Sequence, residues 1–113
     1  FSMGERRFTR HDVQAFYDWL EAVVDKHSRG CDVILYQAGA DPHVSDPLGG
    51  FLHDAQLSKR DSIVLSSGRR IAWNLAGGYQ RDAAGSIAPV LELHRNTMTA
   101  TRHAMNLRQI SAC

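Results

Sequence analysis

Apolar residues Val13, Phe16, Tyr17, Leu20, Val23 and Val24 recur at helical spacing and predict an amphipathic helix. Thr9, with Asp12 three residues on, supplies its N-terminal capping signal, and Ser28-Arg29-Gly30 should stop it with Gly30 at the C-cap. The pattern then changes. Val33-Ile34-Leu35-Tyr36 is a continuous apolar run, as expected of a strand through Gln37 that is covered on both faces. A turn-rich loop from Gly39 to Ala55 follows, of a length that in compact domains usually serves function or is disordered. Ser58 with Asp61 at the capping-box offset predicts a second helix, apolar at Leu57, Ile63 and Val64 and ending at Gly68. A second strand, Ile71-Ala72-Trp73-Asn74-Leu75, runs into Gly77-Gly78-Tyr79. After a loop to Gly85, Ser86 caps a third helix that accepts Pro89 in its first turn and sets Ile87, Val90, Leu91, His94 and Met98 on one face. The segment from Asn106 to Cys113 carries isolated Leu107 and Ile110 and no assignable pattern.

Strand, helix and strand form one crossover unit, which makes the two strands parallel and brings their carboxyl ends to one edge. Ligands of open α/β sheets collect at that edge, where Asp41 and Tyr79 emerge. Two strands are too few for an independent α/β sheet. The expected fold class is therefore α/β, an open parallel sheet flanked by helices, incomplete on its own: the C-terminal portion of a longer domain, or a fragment that survived cleavage.

Composition narrows the classes further. The 113 residues are 43% hydrophobic, enough for a core, and the net charge of +1 comes from intermixed acids and bases, without a basic stripe for nucleic acid. No run approaches the roughly 20 apolar residues of a membrane span. Cys31 and Cys113 cannot build a disulfide framework and suit a reducing, cytoplasmic location. Phe1-Ser2-Met3-Gly4 shows neither a signal h-region nor a Met at position 1, as in a trimmed chain.

Asp41 has the chemistry of a metal ligand, a hard oxygen donor at the end of a rigid strand with Gly39 and Pro42 beside it. It also fits an Asp that closes a turn by accepting backbone N–H bonds, and local sequence favours that role. Asp46, directly before Pro47, reads as loop support behind the site. Tyr79 follows two glycines that admit a close ligand, and its phenol can donate to a carbonyl oxygen as negative charge develops; it can equally pack over a helix terminus. Asp41-Pro42-His43 has the Asp-x-His spacing of paired metal ligands, but Pro42 reorients the chain and no further ligand is nearby. His53 with Asp54 has the form of a base and its orienting acid or of two solvated loop residues, and His94 that of a satisfied core histidine. Leu48, Gly49 and Gly50 offer at most a small apolar rim.

Taken in order, Tyr36-Gln37-Ala38-Gly39-Ala40-Asp41-Pro42, Asp46-Pro47-Leu48-Gly49-Gly50, Arg60-Asp61, Gly77-Gly78-Tyr79 and His94-Arg95-Asn96-Thr97 resemble the histone deacetylase family, and most closely its class IV type and bacterial relatives. The resemblance covers roughly positions 33 to 98 and implies an arginase/deacetylase-like fold and a zinc-dependent hydrolysis of acetyl-amide bonds. It implies that Asp41 matches a zinc ligand, Tyr79 the transition-state tyrosine, and Leu48 and Gly78 the substrate channel. With that order in view the metal role for Asp41 leads. Acetylated lysine or an acetylated small amine would be the substrate. In the family the tandem His-His base and the Asp-x-His zinc ligands lie in an earlier segment, and this chain has no His-His pair, so a missing N-terminal portion of the same domain is the implied partner. Alternatives are a non-catalytic interaction module that keeps the fold, and, last, a nucleotide-binding α/β module, for which no G-x-G-x-x-G or P-loop sequence is present.

Overall fold

The computed structural model describes residues 7–112, and for residues 110–112 the backbone alone. Phe1-Ser2-Met3-Gly4 and Cys113 lie outside the described residues. The chain is a small α/β domain with the order α1 (Val13–Ser28), β1 (Val33–Ala38), α2 (Asp54–Leu65), β2 (Arg70–Leu75) and α3 (Ala88–Ala112). The strands are parallel, with Val33 opposite Arg70 and Ala38 opposite Leu75. Both strands therefore end at one edge, as their crossover requires.

Local chemistry sets each boundary. Thr9 does bond Asp12, its N–H and Oγ1 donating to Oδ2 at 2.9 and 2.7 Å, but this pair forms a lead-in turn and the helix opens one residue after Asp12. At the far end Arg29 is the C-cap and Gly30 follows it at φ +75°, a conformation that L side chains adopt only with strain. The predicted start of α2 at Ser58 is corrected to Asp54. His53 is the N-cap, and its N–H donates to Gln56 Oε1 at 2.8 Å, so the reciprocal box is filled five residues ahead of Ser58. Ser86 caps α3 as expected, its Oγ accepting the Ala88 N–H at 3.1 Å, and Pro89 falls in the first turn.

The core lies under the loop that follows β1. Phe16, Ala40, Leu52, Leu57, Val90 and Leu93 form one buried cluster, with Phe8, Trp19 and Phe51 packed against it. Phe16 meets Phe51 edge-on at a centroid distance of 5.3 Å and Phe8 at 5.4 Å, geometries that aromatic quadrupoles favour. Ala40, one residue before Asp41, is thus fixed by packing.

Two expectations about faces are corrected. β1 is not covered on both sides: Leu35 is 80% and Val33 47% exposed, while Ile34, Tyr36 and Ala38 turn inward. The continuous run was read from hydrophobicity, which does not say whether a cover is present. On α3 the buried side consists of Val90, Leu93, His94 and Thr97, whereas Ile87, Leu91 and Met98 are about half exposed. A small hydroxyl, Thr97, takes the place expected for the larger Met98 because it bonds a buried acid.

Candidate functional site

The two strand ends are tied together by one backbone bond, the Ala40 N–H donating to the Gly77 carbonyl at 2.5 Å. The next side chain, that of Asp41, lies in a notch between two glycines. A Cβ on Gly39 would stand 2.5 Å from Asp41 Oδ1, and one on Gly77 would stand 2.6 Å from the same oxygen. Neither position tolerates a side chain while the carboxylate stays there. The Gly77 point also lies 3.5 Å from Tyr79 Oη, so carboxylate and phenol face one small space from two sides. Tyr79 is 56% exposed and Asp41 half-buried, which leaves that space open to solvent.

Asp41 and Asp46 behave differently, although each stands in or beside an X-Pro turn. Asp46 is buried; its Oδ1 accepts the Leu48 N–H at 2.9 Å and its Oδ2 the Tyr79 N–H at 2.8 Å. It closes its own loop and anchors the backbone of Tyr79. No donor among the described residues bonds the Asp41 carboxylate. The turn-closing role that local sequence favoured for Asp41 is not the one it plays.

The remaining residues divide into those that shape the loop and those outside it. The Pro42 carbonyl accepts both the Phe51 and Leu52 N–H groups, at 2.8 and 2.9 Å, and a Cβ on Gly50 would collide with Pro42 and the His43 carbonyl. Gly78 has φ +154°, and a Cβ there would meet Val90 Cγ1 at 2.8 Å and Ala40 Cβ at 2.9 Å, so it is packed against the core. Leu48 is 68% exposed. His43 is buried, with Nδ1 accepting the Ser45 N–H at 3.1 Å and Nε2 facing Asp54 Oδ1 at 2.7 Å, so both ring nitrogens are occupied and the Asp-x-His spacing does not form a ligand pair. Asp54 is thus paired with His43 rather than with His53, which caps α2.

Behind the notch runs a buried polar network. Asp61, 1% exposed on α2, accepts Tyr36 Oη at 2.5 Å, Thr97 Oγ1 at 2.6 Å, and Arg60 Nε and Nη2 at 3.0 and 2.8 Å. Arg60 Nη1 donates in addition to the Gly39 carbonyl at 2.7 Å. Burial pushes the Tyr36 phenol far above its ordinary range, and burial with the nearby Arg60 charge lowers His94. These partners are 25 and 36 residues from Asp61, and no local spacing could have announced them. Arg60-Asp61 was visible as a motif, but its contacts were not.

Among the described residues no group of three His, Cys, Asp or Glu side chains converges to hold a metal ion, and no helix is long and apolar enough to cross a membrane. Cys31 is free and exposed. A cleft of about 380 Å³ lies between α1 and α2, lined by Glu21, Asp25, Lys59 and Arg69 among others, and shares no residue with the Asp41 notch. No family model matches the chain, and no curated protein matches it.

Proposed function

We propose that this chain is the part of a zinc-dependent deacetylase that carries one metal-ligating carboxylate, Asp41, and the oxyanion-binding phenol, Tyr79. The observation that carries the reading is the notch: an unbonded carboxylate, cleared by Gly39 and Gly77 and faced by the Tyr79 hydroxyl. A carboxylate kept clear of backbone donors retains its lone pairs for a ligand, whereas Asp46 has given its own to two N–H groups.

The described residues do not by themselves fit a catalytic zinc, which takes three protein ligands and a water. Asp41 suits one of those positions. When bound, zinc would polarise the acetyl carbonyl and lower the pKa of its water. Tyr79 would donate its hydroxyl in a hydrogen bond to the acetyl carbonyl oxygen as negative charge develops there. Asp46 anchors the Tyr79 backbone, and exposed Leu48 would stand at the rim where the acyl chain enters, with Gly78 beside it packed on the core. Acetate and a free amine leave, from acetyl-lysine or an acetylated small amine. The arginase/deacetylase-like fold, with further strands and the other ligands supplied by the missing N-terminal portion, belongs to the same proposal.

The bare sheet face favours one second reading. Val33, Leu35 and Ala72 present an uncovered apolar surface, which a non-catalytic interaction module would use as well as a domain fragment. Metal analysis and acetate release on the isolated chain test the proposal. It should retain far less than one zinc through dialysis and release no acetate from an acetyl-lysine peptide. Zinc-dependent acetate release by the isolated chain would overturn the half-site assignment.

A further inference from the structure

We infer that Arg60 is the positioning residue of the Asp41–Tyr79 pair. The inference rests on the proposed half-site and concerns how it is held. Arg60 is only 9% exposed, a rare placement for a guanidinium without a task. Its planar fork is divided between two partners. Nε and Nη2 clasp Asp61 Oδ1, and Nη1 reaches the Gly39 carbonyl at 2.7 Å.

The second contact is the informative one. Gly39 forms one wall of the notch, and Asp41 Oδ1 lies against the place where its Cβ would be. Fixing the Gly39 carbonyl fixes the peptide plane from which the next two residues depart. Ala40 is then locked on both sides, by its N–H bond to Gly77 and by its place in the core. The orientation of Asp41 therefore descends from Arg60 through two peptide units. Asp61 in turn is held by Tyr36 from β1 and Thr97 from α3, so Arg60 is referred to two elements besides its own helix.

Stability alone accounts poorly for this arrangement. A buried ion pair seldom stabilises more than well-packed apolar residues of the same volume, and its best-attested use is to fix one geometry. A lysine would keep the charge opposite Asp61, but its single ammonium lacks the planar fork that serves Asp61 and the Gly39 carbonyl together.

The test reads geometry and not deacetylation, so it fails separately from the proposed function. The three tyrosines are replaced by 3-fluorotyrosine, and the Tyr79 fluorine signal is assigned by its loss in Tyr79→Phe. Asp41→Asn should displace the Tyr79 signal, because the two side chains share the space over Gly77. In an Arg60→Lys background that displacement should fall to about half or less, as the Gly39 carbonyl is released. Arg60→Ala should lower it further where the protein remains folded. Leu65→Ala, a cavity five residues beyond Arg60 in the same helix, should leave it unchanged although it loosens the fold. An undiminished displacement in folded Arg60→Lys would overturn the inference, as would an equal loss in Leu65→Ala.

Discussion

Asp46 Oδ2 accepts the backbone N–H of Tyr79 at 2.8 Å across 33 residues of sequence, joining the loop after β1 to the turn after β2. The same carboxylate holds the Leu48 N–H with its other oxygen. Asp46→Ala should therefore orphan two backbone donors and cost about 1–3 kcal/mol. Asp46→Asn, which keeps one acceptor oxygen, should cost less. Urea denaturation of the two variants gives the order.

Gly77→Ala tests whether the notch is shaped by Asp41. An added Cβ would press on Asp41 Oδ1, and the substitution should destabilise by about 1–3 kcal/mol. Because the obstacle is that one side chain, the cost should shrink in an Asp41→Ala background. A double-mutant cycle by denaturation measures the coupling, and additive effects would show that the backbone resists the methyl instead.

Tyr36 and His94 contribute to the pH dependence of stability on opposite sides of neutrality, and burial raises Tyr17 in the same sense as Tyr36. The folded chain holds the Tyr36 phenol above its ordinary value of 10.0, so its contribution is whole below that pH and is lost as the unfolded state begins to ionise above it. His94 is lowered from 6.5, so the unfolded state binds a proton more readily and stability declines as pH falls below that value. Thermal unfolding between pH 5 and pH 11 should show a plateau with a fall on each side. Tyr36→Phe should remove part of the alkaline fall while costing about 0.5–1.5 kcal/mol for the lost bond to Asp61.

The elements of the fold were legible wherever the signal is local. The spacing of Val13, Phe16 and Leu20, the break at Gly30 and the Ser86 cap all follow from contacts within a turn or two of chain. α2 was placed late because a Ser-x-x-Asp pattern resembles a capping box as closely as His53-x-x-Gln56 does, and only the three-dimensional bonds separate them. The buried face of α3 departs from its apolar periodicity because Thr97 is buried by a bond to Asp61, a partner that no helical periodicity reveals. The same limit applies at the candidate site. Asp41 and Tyr79 were visible as strand-end residues, but the unbonded state of one and the Asp46 anchor of the other depend on distant parts of the chain meeting.

Leu35 is 80% exposed on a parallel strand, and the notch holds a single carboxylate; the proposed half-site would account for both. The most direct measurement is acetate release, from an acetyl-lysine peptide and an acetylated polyamine, by the full-length product of the coding sequence that contains this chain. With zinc present the wild-type protein should release acetate from one of them, Asp41→Ala should abolish the release, and Tyr79→Phe should lower it by about 10²–10³-fold. Absence of release by the wild-type protein, or release undiminished by both substitutions, would contradict the account.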